Sequence, residues 1–261
     1  GEGSMKTGVC GAMLLAGSLW AAEPPVQICL GDGNEWAPFT YWERSNGEPD
    51  RTRLTGIASG LVLEALRQSG FDYRISYLPW ARVQQELKEF ARNRECELTW
   101  DASYKAERAE FALYSVPLYQ TRLGLFYLGR RFPEGPDMQT VQRSRVCGVV
   151  GYNYTPYELQ QEVRLVRQIQ QVLDMMERER CDFFPSEIEP LLGGLQLGIY
   201  HSQGELQTLA IPRSKRFYLL VSKGSPRADA LLNRLNQALI RFDEEGYSAT
   251  QFRRFLPKAQ P

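Results

Sequence analysis

Short apolar runs and helical stripes alternate along most of the chain. Val26 to Leu30 is a short apolar strand ended by Gly31-Asp32-Gly33-Asn34. After Gly56, the residues Leu61, Val62, Ala65 and Leu66 fall on one helical stripe that stops at Ser69-Gly70. Tyr73 to Tyr77 alternates as a strand, and Pro79-Trp80 starts a helix with Val83, Leu87 and Phe90 on one face. Glu95 to Trp100 is the next strand, and the polar stretch Ser45 to Arg53 reads as a hairpin or loop. Strand, helix, strand, helix, strand is the signature of a parallel α/β sheet.

The pattern then restarts. Arg122 to Leu128, Val146 to Val150, Val163 to Val166 and Cys181 to Phe184 read as strands. Pro156 to Glu162 reads as a helix start, and Ile169, Val172, Leu173 and Met176 stripe a helix over 168–178. Pro190 to Gly198 is expected to be helical, Leu206 to Ile211 and Phe217 to Val221 are two further strands, and Ala228, Leu231, Leu232, Leu235, Leu239 and Phe242 mark a final long helix ended by Gly246. The chain thus divides into two α/β units and a C-terminal helical segment. In open α/β sheets ligands sit at the carboxyl ends of strands. Those ends are Asp32 to Trp36, Trp100 to Ser103, Gly151 to Tyr154 and Pro185 to Glu187, which converge on one cleft if the two units face each other.

Composition narrows the function. With 261 residues and 43% hydrophobic content, one large or two smaller domains can each bury a core. The 31 basic residues balance 31 acidic ones, so the chain lacks the basic footprint of a nucleic-acid binder. One histidine, His201, argues against a His-based metal site or a Ser-His triad. No Walker-type nucleotide loop is present, and no cofactor or metal is expected.

Gly1 to Ser4 ahead of Met5 reads as a cloning scar, and Lys6 with the apolar stretch Val9 to Ala22 reads as a secretory signal, too short to span a bilayer. The mature chain is expected to start near Ala22 or Glu23 and to be exported to the periplasm. Cys10 lacks a lipoprotein cleavage box around it. Export gives Cys29, Cys96, Cys147 and Cys181 two readings: disulfides, with three possible pairings, or four buried thiols. Cys29 and Cys96 lie in one half, Cys147 and Cys181 in the other.

The stretch Trp100 to Tyr119 carries the clearest chemistry. A buried strand delivers a short polar loop, Asp101-Ala102-Ser103, and Arg108 follows within about two helical turns. Backbone N–H groups and the Ser103 hydroxyl suit one carboxylate oxygen, and a planar guanidinium can fork both.

Glu35-Trp36-Ala37-Pro38-Phe39, Gly56, Leu78-Pro79-Trp80, Glu107-Arg108, Tyr114 to Tyr119, Arg180-Cys181-Asp182 and Leu220 to Pro226 occur here in an order and spacing that resembles the type II periplasmic solute-binding proteins. The closer resemblance is to the polar-amino-acid-binding family of ABC importers, from Gln27 to Leu256. That resemblance implies an α/β fold of two lobes, each a mixed, mostly parallel sheet flanked by helices. Lobe 1 would comprise 23–117 and 224–261, lobe 2 would comprise 122–218, and the hinge would be 118–121 and 219–223, with 1–22 removed or foreign. It implies that Arg108 grips a ligand α-carboxylate and that Asp101, Ala102 and Ser103 assist. Trp36 and Trp80 would sandwich the ligand side chain, and Glu187 would accept its α-ammonium. Tyr154, in an unusual Gly151-Tyr152-Asn153-Tyr154-Thr155 turn, would fill ligand space or donate its hydroxyl, and Trp100 would crowd the pocket.

The implied function is capture of an amino acid or similar zwitterion by lobe closure and delivery to ABC permease subunits, by a monomer. A ligand-sensing subunit for a chemoreceptor or sensor kinase shares every one of these features. A cyclohexadienyl-dehydratase-like enzyme needs an added acid in the cleft, where this sequence offers Pro190 with Glu189 beside it.

Overall fold

The computed structural model describes residues 23–33 and 35–256, together with 1, 3, 4 and 8. Most of the expected signal segment, Cys10, Asn34 and the last five residues lie outside the described residues. Strand β1 (Val26–Gly31) leads to a long turn and the hairpin of β2 (Tyr41–Ser45) and β3 (Glu48–Thr55), so the polar stretch is a hairpin. Helix α1 (Ile57–Gln68) follows at Gly56, whose φ of 115° and a Cβ position 2.3 Å from the Phe39 carbonyl oxygen admit only glycine. Its stripe Leu61, Val62, Ala65 and Leu66 is buried as the spacing requires.

Strand β4 (Tyr73–Leu78), helices α2 (Trp80–Lys88) and α3 (Phe90–Asn93), strand β5 (Leu98–Ser103), helix α4 (Ala106–Phe111) and strand β6 (Ala112–Tyr114) complete the first unit. The second unit runs through β7 (Tyr119–Leu128), α5 (Met138–Gln142), β8 (Val146–Val149), β9 (Val163–Val166), α6 (Ile169–Glu177), β10 (Phe184–Glu187) and α7 (Ile188–Gln196). Strand β11 (Leu206–Ser222) returns to the first unit, where α8 (Ala228–Glu244) and α9 (Tyr247–Phe255) end the described chain.

The main sheet has the order β10-β7-β11-β5-β1-β4, with β6 also on β11. β1 lies parallel between β4 and β5, and the pairs through β11 and β7 are antiparallel. A small parallel pair, β8 with β9, stands apart. One core gathers β1, α1, β5 and α8, with Ile28, Leu61, Leu98 and Leu235 among its members. Further cores gather Phe126, Val149, Leu173 and Phe184, and Leu125, Tyr157 and Phe183. β7 and β11 carry residues into both sets, Tyr119 and Phe217 to one side and Leu125 and Ile211 to the other.

Three local expectations change. Leu206–Ile211 and Phe217–Val221 are one strand, because Pro212 and Arg213 sit in a bulge between the Ile211–Leu123 and Ser214–Arg122 pairs, where proline needs no ladder partner. Pro156–Glu162 makes only a 3₁₀ turn at 155–157, which Glu158 ends with φ 51°. The Asp101-Ala102-Ser103 loop is instead the end of β5. A bulge there, with Asp101 at φ 62°, keeps Ala102 opposite Tyr218.

Two disulfides staple the structure, Cys29–Cys96 between β1 and the approach to β5, and Cys147–Cys181 between β8 and the approach to β10. Among the described residues no helix is long and apolar enough to cross a membrane.

Candidate ligand-binding cleft

A cleft of about 750 Å³, part of it open to solvent, lies where the carboxyl ends of β1, β5 and β10 meet the crossing strand β11. Its walls come from both units: Asp32, Glu35, Trp36, Thr40, Tyr41, Trp42, Tyr77, Trp80, Trp100, Asp101, Ser103 and Arg108 from one, Tyr152, Asn153 and Glu187 from the other, with Lys215 and Phe217 from β11.

Arg108 sits on the short helix α4 and is 2% exposed. Its Nε donates to Gln84 Oε1 at 2.8 Å, Nη1 to the Ser103 carbonyl at 2.9 Å and Ser103 Oγ at 3.3 Å, and Nη2 to the Gly151 carbonyl at 3.0 Å. Every one of these acceptors is neutral. Burial pulls its pKa down, with Tyr114, Glu107 and Glu187 opposing. Gln84 Nε2 also donates to Gly151 O, and Asn153 Nδ2 donates to Ser103 Oγ and Tyr104 O, so the two walls touch directly around the guanidinium. Gly151 has φ 83°, and a Cβ there would press on Ala81, which is what lets its carbonyl reach two donors.

Glu187, 4% exposed at the end of β10, faces Lys215 of β11, 5% exposed. Lys215 Nζ donates to Glu187 Oε1 and, at 2.5 Å, to the Asn153 carbonyl. The Tyr157 ring lies 5.3 Å from the same nitrogen and Phe217 6.0 Å. Burial lowers the lysine pKa, and Glu187 holds it up. The carboxylate expected to receive a ligand ammonium therefore already holds an ammonium of its own chain.

The aromatic wall is larger than the sequence indicated. Trp36 and Trp80 both face the cleft; the Arg108 guanidinium carbon lies 5.7 Å from the Trp80 ring centroid, and Trp36 meets Tyr152 edge-on at 5.9 Å. Trp42, Tyr41 and Tyr77 add to it from the hairpin and β4. Trp100 is fully buried beneath, held by its Nε1 donating to Thr40 Oγ1 at 2.9 Å. Trp36 Nε1 donates to Tyr119 Oη at 2.9 Å, and Tyr119 Oη donates to Asp101 Oδ1 at 2.6 Å. Tyr119 is clamped between Phe39 and Phe217 in stacked geometry, which fixes that chain. Burial pushes the Asp101 carboxyl up to about 7, against the hydrogen bonds from Thr40 and Tyr119.

Two expected site residues point elsewhere. Tyr154 turns back into its own unit: its hydroxyl accepts from Val149 N at 2.6 Å, and its ring covers Gly148, where a Cβ would sit 2.4 Å away. Its neighbour Tyr152 lines the cleft instead. Ala102 packs in the core with Cys29, Val83 and Leu220, because the bulge turns Asp101 and Ser103 outward in its place. The residues missed were Lys215, Gln84 and Tyr119. Alternation of Lys215, Phe217 and Leu219 along one strand face was the signal available for the first.

Among the solved structures, many resemble this one along nearly its whole length. The substrate-binding protein of an amino acid ABC transporter superposes with a TM-score of 0.69 at 13% identity, covering 88% of this chain and 98% of its own. The fold is that of type II solute-binding proteins. An ABC uptake transporter substrate-binding protein from Streptococcus pneumoniae, with bound histidine, matches at a TM-score of 0.70 and 13% identity over 88% of this chain and 92% of its own. A histidine kinase sensor domain with similarity to periplasmic binding proteins matches at 0.69 and 14% over 91% and 99%. No family model matches the sequence, and no curated protein does. In this solute-binding-protein fold the cleft lies over β11, at Lys215 and Phe217, between residues of the two units.

Proposed function

We propose that this protein captures a small carboxylate-bearing solute in the cleft by closure of two lobes and presents it to a membrane partner, in the first place the permease of an ABC importer. The lobes of this reading are 23–117 with 224–261, and 122–218, joined at 118–121 and 219–223. The observation that carries it is Arg108: a buried guanidinium, satisfied only by neutral oxygens, standing at the point where both walls meet. An uncompensated buried cation favours an anion, and an anion that touches both walls stabilises the closed arrangement over the open one. The amino-acid transporter proteins among the structural neighbours make amino acids and their relatives the natural solutes to test.

Export to the periplasm after cleavage near Ala22 belongs to the same reading, and two disulfides suit an oxidising compartment. A sensing subunit is the second reading, favoured by the kinase sensor domain among the neighbours. The chain is read as a binder rather than an enzyme: Glu189, the carboxylate beside the place a dehydratase acid would occupy, is not among the residues lining the cleft and accepts from Arg122 N at 2.9 Å.

Small-angle scattering with and without a panel of small acids and amino acids tests the capture. A binder should reduce the radius of gyration in the wild type and leave the Arg108→Ala variant unchanged. Compaction that persists in Arg108→Ala would remove the carboxylate reading. Cross-linking in native membranes then separates permease from kinase, and phenylpyruvate formed from prephenate would overturn the non-enzymatic reading.

A further inference from the structure

We propose that the cleft selects a carboxylate whose body is aromatic or apolar and which carries no α-ammonium, because Lys215 already occupies the acceptor that such an ammonium would need. The inference rests on the capture reading above and narrows its solute class. Arg108 supplies the anion site, with Ser103 Oγ beside it. Glu187 supplies no cation site: its partner is Lys215, both side chains are about 95% buried, and the ammonium is further held by the Asn153 carbonyl. A second ammonium brought to Glu187 would lie against the first in a dry pocket, where like charges repel strongly.

The remaining acids do not replace it. Glu35 is paired with Arg44 at 2.9 Å, and Asp32 is exposed at the mouth. Asp101 already accepts from the Tyr119 hydroxyl at 2.6 Å, and burial raises its carboxyl to about 7, so below that pH it is mostly neutral and offers an ammonium no full counter-charge. The solute body would then meet Trp36, Trp80, Trp42 and Tyr77, flat faces suited to an arene.

Matched pairs differing only in the α-ammonium test this: hydrocinnamate against L-phenylalanine, and indolepropionate against L-tryptophan, titrated calorimetrically into wild type. The deaminated member of each pair should bind at least about tenfold more tightly. In Lys215→Met, Glu187 is released, and the preference should move toward the amino acid by at least about tenfold. The Glu187→Gln/Lys215→Met double variant has no anion to release and should cancel that movement; it also answers the objection that Lys215→Met perturbs the fold. Wild-type binding of an amino acid as tightly as its deaminated partner would overturn the inference and leave carboxylate capture standing. Silence from both members of both pairs, with no difference between wild type and Arg108→Ala, would overturn both.

Discussion

Removing Glu187 should destabilise the protein sharply, and removing Lys215 with it should restore most of the loss. Both side chains are about 95% buried, and they face each other at ion-pair distance. Taking away one partner of such a pair leaves a buried charge without its counter-ion, which costs about 3–5 kcal/mol. For a chain of this size each kcal/mol moves the melting temperature by about 2–4 °C, so Glu187→Gln should melt roughly 6–20 °C below wild type. The double change Glu187→Gln/Lys215→Met leaves neither buried charge and should lie within about 2 kcal/mol of wild type. The coupling between the two sites should therefore be at least about 2 kcal/mol.

The pH dependence carries a sign. Burial lowers the Lys215 pKa below 10.5 even with Glu187 present. Without Glu187 the ammonium is disfavoured further, so between the folded pKa and about 10.5 the native state binds fewer protons than the unfolded one. Stability of Glu187→Gln should then rise with pH, by up to about 1.4 kcal/mol per unit, where the double variant stays flat. Urea unfolding across neutral to alkaline pH gives all four corners of the cycle. Single variants within about 1 kcal/mol of wild type, or strictly additive losses, would refute the buried pair.

Arg108→Lys should weaken binding of any carboxylate probe by about thirtyfold or more, since the fork to Ser103 and Gly151 is lost while the charge is kept; calorimetry reads it, and unchanged affinity would dismiss the guanidinium as the anion site. Asp101, with its carboxyl raised from 3.8 to about 7, stabilises the fold fully below about 4, and that contribution is lost as pH rises through about 7; Asp101→Asn should flatten this part of the stability profile. Reduction of the Cys29–Cys96 bond, which closes a separation of 67 residues, should cost about 4 kcal/mol on chain entropy, measured as a fall in melting temperature under reductant. Gly56→Ala should cost roughly 2 kcal/mol or more, because its Cβ meets the Phe39 carbonyl at 2.3 Å on a backbone that alanine rarely adopts.

What the sequence made legible is what local pattern specifies. The α1 and α8 stripes bury the residues their spacing names, and the strand ends at Asp32, Trp100 and Glu187 reach one cleft as the α/β rule requires. Arg108 was found because a guanidinium soon after a strand end is itself a local signal. The bulges were not legible. Asp101 adopts a left-handed backbone that its residue type only weakly announces, and this one residue decides that Asp101 and Ser103 face the cleft while Ala102 enters the core. Tyr154 and Tyr152 exchange roles for a similar reason: the 3₁₀ turn at 155–157 folds Tyr154 back onto Gly148.

Lys215 was hidden by non-locality of another kind. Within Pro212-Arg213-Ser214-Lys215-Arg216 it reads as one more surface cation, and three of its four neighbours there are exposed arginines or serine. It enters the cleft only because β11 continues past its bulge paired to β7, with Lys215 opposite Thr121, which brings its ammonium to a carboxylate 28 residues away. The consequence is a change in the charge logic of the cleft. With Glu187 free, one buried anion and one buried cation would together call for a zwitterion. With Lys215 seated on Glu187, that anion is spoken for, and Arg108 is left as the buried charge with only neutral partners. A cleft whose one permanently ionised buried charge without a counter-ion is that of Arg108, under a wall of Trp36, Trp42, Trp80 and Tyr77, is built for an acid with an apolar body.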